Sequence, residues 1–163
     1  MRDIFPETAN RVKEWAAQED VLGVVLVGSR SGDHADELSD DDLEVLLTDE
    51  AGARLAPAEC IDLLAAGEGS ERTLIYDAQY TTLTDLRRKA GSPFDLDRWP
   101  YERARVLFDR NGDVAPAVKA AHYGPDLATS ASLPLETRSS TARMWGRMYS
   151  SRSMKGTRWR TRS

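Results

Sequence analysis

The run Val21-Leu22-Gly23-Val24-Val25-Leu26-Val27 is apolar or glycine throughout, carries β-branched side chains at four of its seven positions, and stops at Gly28-Ser29. A run this short and this rich in valine predicts a buried strand, apolar on both of its sides and therefore covered on both. The next dozen residues are polar and loop-like. From about Asp41 to Thr48 a second strand is expected, with Leu43, Val45 and Leu47 on one face and Asp42 and Glu44 on the other.

The remaining elements fit around these two. Pro6 to Gln18 reads as an amphipathic helix, with proline near its start and Val12, Trp15 and Ala16 on one face. Pro57 to Ala66 reads as a helix closed by Gly67, which would put Cys60 on a core face. Arg72 to Tyr80 is expected as a third strand in which Ile75, Asp77 and Gln79 share a face, opposite Tyr76 and Tyr80. A short hydroxyl-capped helix over Thr84–Lys89, a loop through Pro93 and Trp99-Pro100, a fourth strand over Arg103–Phe108, a turn at Asn111-Gly112 and a helix over Val114–His122 complete the pattern.

Charge divides the chain in two. Residues 1–127 carry 14 Lys+Arg against 26 Asp+Glu, net -12, whereas 128–163 carry 8 Lys+Arg against Glu136, net +7. The expected organisation is one domain over 1–127 and a poorly patterned basic tail over 128–163, disordered or partly helical around Met144, Trp145, Met148 and Tyr149. An acidic body argues against a broad nucleic-acid surface and leaves such contact only to the tail. One cysteine excludes an internal disulfide framework. No apolar run approaches the roughly 20 residues of a membrane-spanning helix, and no charged-then-apolar leader opens the chain, so a cytoplasmic protein without a membrane partner is expected.

Candidate chemistry gathers where the first strand ends and the second begins. Glycine at a strand end lets backbone N–H groups approach phosphate oxygens, and Ser29 adds a hydroxyl, although Gly-Ser after a strand is also an ordinary turn. Asp40 and Asp42 lie two apart at a strand start, so both carboxylates project from one face and repel unless a cation sits between them. Magnesium suits such a pair, because it takes one or two carboxylates together with substrate phosphates. A third carboxylate on a neighbouring strand would complete a two-metal site. Asp77 is the candidate, with an edge or solvent-facing aspartate as the plainer reading.

Glu44 is a reserve ligand in the frame Asp42-Leu43-Glu44. Arg30, beside the turn, can neutralise triphosphate charge. A solvated loop residue is the plainer reading of His34, as turn positions are for Asp95, Asp97 and Asp109. Trp99 and Tyr101 read as core or loop packing before they read as stacking partners for a base.

Val27-Gly28-Ser29, nine intervening residues, then Ser39-Asp40-Asp41-Asp42-Leu43 resembles the signature of the DNA polymerase β-like nucleotidyltransferase superfamily, over roughly residues 21–80. The resemblance implies an α+β domain, a small mixed sheet flanked by helices. It also implies two magnesium ions on Asp40, Asp42 and Asp77, a phosphate turn at Gly28 and Ser29, beside which Arg30 is read as a further phosphate contact, and NMP transfer from an NTP, expected to be ATP, to a hydroxyl of a small molecule or protein. A non-catalytic nucleotide- or partner-binding module is the alternative. The chain departs from that signature at Asp41, where an apolar residue is usual; an extra carboxylate there is expected to weaken packing or to bind solvent.

Overall fold

The computed structural model describes residues 4–32, 36, 39–68, 72–122 and 159–160. Helix α1 (Pro6–Ala16) begins on Pro6, whose missing N–H belongs to a group left unbonded at any helix start. Strands β1 (Val21–Val27) and β2 (Asp41–Leu47) follow, then α2 (Asp49–Arg54), β3 (Ile61–Ala66), β4 (Thr73–Thr82), α3 (Leu83–Ala90), α4 (Asp95–Arg98), β5 (Arg105–Asp109), α5 (Val114–Ala121) and the two-residue β6 (Trp159–Arg160). The sheet order is β5-β1-β2-β4-β3-β6. The β1/β2, β1/β5 and β3/β4 pairs are antiparallel, and β2/β4 and β3/β6 are parallel. This is the small mixed sheet of the expected α+β class, with helices on both faces.

One face packs under α1: Val24, Leu26, Leu43, Val45, Leu47, Tyr76 and Ala78 surround Trp15, which is fully buried. Trp15 Nε1 donates to the Tyr80 hydroxyl at 2.8 Å, so burying the indole leaves no orphan N–H. The other face packs Val25, Val27 and Leu46 against Leu83 and Leu86 of α3, Tyr101, and Val114, Ala117, Val118 and Ala121 of α5. Each fully buried valine or leucine contributes about 1.5–3 kcal/mol of transfer free energy. The double-sided burial of β1 is thus what its unbroken apolar run required.

Several expectations are corrected. Pro57–Ala66 is not a helix: a 3-10 turn at Pro57–Glu59 leads into β3, which pairs with β4 from Ile61↔Gln79 to Ala66↔Thr73. Local propensity in Ile61-Asp62-Leu63-Leu64-Ala65-Ala66 is outweighed by a ladder that satisfies the open edge of β4. Asp62 is also fixed from outside the strand, by Arg11 of α1. Cys60 is therefore half-buried in the turn before β3, its thiol against the Ala56 carbonyl at 3.5 Å, and not in the core.

Helix α3 starts one residue earlier than expected, and its cap is Thr82, whose Oγ1 accepts the Asp85 N–H at 3.0 Å. The loop through Pro93 contains α4 and a 3-10 turn at Trp99–Tyr101. Trp159 and Arg160, in a tail expected to be disordered or partly helical, form β6; the rest of 128–163 lies outside the described residues. Among the described residues no helix is long and apolar enough to cross a membrane.

Candidate functional site

Strand register assembles the site. In the β1/β2 pair Val27 lies opposite Asp42, and in the parallel β2/β4 pair Asp42 lies beside Asp77, so one row across the sheet reads Val27, Asp42, Asp77. Alternation puts Asp42 on the face covered by α3 and α5. Gly28 follows Val27 with φ +71°, in the left-handed region that favours glycine. A Cβ there would fall 2.1 Å from Asp42 Oδ2 and 2.9 Å from its Cγ. Glycine is thus required twice, by its backbone angle and by the carboxylate lying against it. Ser29–Ser31 form a 3-10 turn, closed by Ser31 Oγ donating to the Gly28 carbonyl at 2.7 Å.

The electrostatics of this row come from like charges. Burial, then Asp40, Asp77 and Asp41, push the Asp42 carboxyl up to about 7. Asp40 is raised as well, by burial first and by Asp41 next, against its own backbone hydrogen bond and Arg30. Asp40 and Asp77 thus both act electrostatically on Asp42. Among the described residues, no group of three or more His, Cys, Asp or Glu side chains is gathered closely enough to cage an ion.

A magnesium–phosphate site needs no such cage, since one or two carboxylates suffice when phosphate oxygens and water complete the shell. The donors fit that case. They are hard oxygens whose crowding a cation relieves, and the missing Cβ of Gly28 lets Asp42 Oδ2 lie directly against the backbone of the turn.

The other acidic and basic candidates are committed elsewhere. Asp41, fully buried, accepts from Arg30 Nε at 2.7 Å and from the Phe5 N–H at 2.9 Å. The sequence led one to expect weakened packing or bound solvent here; the carboxylate is instead shut off from solvent and held by these two donors. Arg30 is 6% exposed, lies 4.1 Å over the Phe5 ring and donates to the Ser39 carbonyl at 3.3 Å. The side chain expected at a triphosphate is thus turned inward to the face opposite Asp42.

Glu44 accepts from the Tyr101 hydroxyl at 2.6 Å and from Lys89 Nζ at 2.9 Å, and Lys89 also reaches the Tyr101 oxygen at 2.9 Å. The reserve ligand is accordingly tied to a network of its own. Tyr101 is fully buried, whereas Trp99 is 59% exposed and packs in neither core. Asp109, expected at a turn position, is instead the last residue of β5, though its carboxylate accepts the Gly112 and Ala115 N–H groups of the following turn at 2.8 and 2.9 Å; Asp95 and Asp97 lie in α4. His34 lies outside the described residues.

No protein-family model matches the chain. No curated protein matches it either. Among solved structures, a nucleotidyltransferase-like protein from Exiguobacterium sibiricum 255-15 is similar with a TM-score of 0.45 and 17% identity, over 74% of this chain and 39% of that one. The chain spans well under half the length of that protein.

Proposed function

We propose that this chain is a nucleotidyltransferase that moves a nucleoside monophosphate from a magnesium-bound NTP, with ATP as the favoured donor, to a hydroxyl of a small molecule or a protein. The observation that carries the reading is the placement of the Gly28 turn directly against Asp42, with Asp77 beside Asp42 in strand register. A phosphate held by the turn and a cation held by the carboxylates would then belong to one ligand.

Asp40, Asp42 and Asp77 would hold the magnesium, which when bound neutralises triphosphate charge and steadies the leaving pyrophosphate. The Gly28–Ser29 backbone and the Ser29 hydroxyl orient the phosphates. In the transfer, the acceptor oxygen forms a bond to the α-phosphorus as the bond to the bridging oxygen breaks. Pyrophosphate leaves with that electron pair, and the hydroxyl proton passes to a site carboxylate. Fixed positioning and charge complementarity supply most of the rate in such reactions.

The alternative is a nucleotide- or partner-binding module without turnover. Calorimetric titration of ATP with and without magnesium, followed by pyrophosphate release over a panel of hydroxyl acceptors, separates the two. Magnesium-dependent binding with release supports the transferase, and binding without release on any acceptor supports the module. No binding in either condition removes both nucleotide readings.

A further inference from the structure

Asp41 is the position at which this chain departs from the nucleotidyltransferase signature, and it is one of the most deeply buried charges among the described residues. Its partners explain its presence. One carboxylate oxygen takes Arg30 Nε and the other takes the Phe5 N–H, while the same guanidinium reaches the Ser39 carbonyl and covers the Phe5 ring. A single ion pair therefore ties together the turn after β1, the segment entering β2 and the residue preceding α1.

Stability alone does not account for such a pair. Removing two charges from water costs much of what their attraction returns, and well-packed apolar residues of similar volume usually serve a core as well or better. What an apolar pair lacks is direction. The planar guanidinium donates in fixed directions, Nε to Asp41 and Nη1 to the Ser39 carbonyl, so it sets the angle at which its backbone approaches the strand. Arg30 stands two residues beyond Gly28, and Asp41 is adjacent to Asp42. Their separation thus governs how closely the turn lies on Asp42 Oδ2, where the margin is already smaller than one carbon atom.

We propose that Arg30 and Asp41 are positioning residues whose buried ion pair sets the Gly28–Ser31 turn against the strand carrying Asp42, a role that rests on the nucleotide reading above. Neither side chain touches the ligand; both act through the backbone they hold. The double variant Arg30→Met/Asp41→Leu keeps the volume apolar and tests the proposal by three measurements: melting temperature, amide hydrogen exchange at Ser29–Gly32, and calorimetric affinity for Mg-ATP.

The double variant is expected to melt close to the wild type, yet to exchange those amides at least about 10-fold faster and to bind Mg-ATP at least about 10-fold more weakly, the scale of losing a group that orients a ligand. Asp41→Asn, which preserves shape and removes the charge, is expected to move exchange and affinity in the same direction and decides the matter where the double variant does not fold. A folded variant with unchanged exchange, or with faster exchange and unchanged affinity, overturns the positioning role while wild-type binding leaves the nucleotide reading intact. A wild-type chain that binds no Mg-ATP overturns the nucleotide reading itself, and the positioning role with it.

Discussion

Asp41 and Asp42 are neighbours on β2 that face opposite sides of the sheet, and their surroundings treat charge in opposite ways. On the α1 side each of the two carboxylates has a guanidinium against it, Asp41 with Arg30 and Asp62 with Arg11. On the α3/α5 side Glu44 is matched by Lys89 and Tyr101, but one pleat away Asp42 is acted on by three further carboxylates and its ionisation is delayed to about pH 7. The first arrangement holds the scaffold. The second keeps a local cost that folding alone does not call for, which is the usual mark of a place where something else binds.

Substitutions on the two sides should therefore separate stability from ligand binding. The largest effect is expected from Trp15→Ala on the α1 side. Deleting a fully buried indole costs about 3–5 kcal/mol, read as a lower urea midpoint, while the folded fraction retains its Mg-ATP affinity. A parallel loss of affinity would show that the two faces are not separable.

Asp42→Asn is the converse. It should weaken Mg-ATP binding on the order of 100-fold, beyond the 10-fold or more seen when only an orienting group is lost, with no loss of melting temperature when magnesium is absent. Asp40→Asn should likewise abolish transfer. Glu44→Gln comes next: it should leave a substantial part of transfer and cost roughly 1.5 kcal/mol in denaturant unfolding, because a charge-assisted network is weakened and not a metal ligand. Activity falling further with Glu44→Gln than with Asp40→Asn would move the site two residues along β2.

The smallest effect is the pH dependence without divalent cations. A free aspartic acid ionises near pH 4, whereas Asp42 keeps its proton to about 7. Between those values the folded chain binds more protons than the unfolded one, so the contribution of Asp42 to stability is greatest at the acid end and is lost as pH rises through 7. Melting temperatures of wild type and Asp42→Asn should thus diverge from pH 5 to pH 8 in favour of the variant. Added magnesium should narrow the gap, and a gap that does not change with pH would remove the like-charge account.

What the chain revealed in advance was whatever depends on short range. The unbroken valine run, the alternation from Asp41 and the glycine between them carried enough local pattern to locate β1, β2 and the turn. What stayed hidden depends on pairing at a distance. Ile61–Ala66 has no local feature that reports the open edge of β4. Helix α2 does carry a local signal, Thr48 followed by Asp49-Glu50, with Thr48 Oγ1 accepting the Ala51 N–H at 3.3 Å, but it is only six residues long. Arg30 taken alone points toward a phosphate and Asp41 taken alone toward weakened packing or bound solvent, yet the two form one ion pair. Opposite charges at the two ends of one loop were the available clue that they belong to each other. The tie from Tyr101 to Glu44 spans 57 residues and has no comparable sequence sign.

The parallel pairing of β2 with β4 also has a consequence in time. Antiparallel β1 and β2 are joined by one loop, but Asp77 reaches Asp42 only after the chain has passed through α2, β3 and the bend into β4. Contacts that close such long stretches pay their entropy before any ladder repays it and are slow to form. A nascent chain would hold the Gly28 turn and Asp42 well before it holds Asp77. The carboxylate row is thus a late product of folding, and amide protection along β4 arriving after that of β1 and β2 in a refolding experiment would be its kinetic signature.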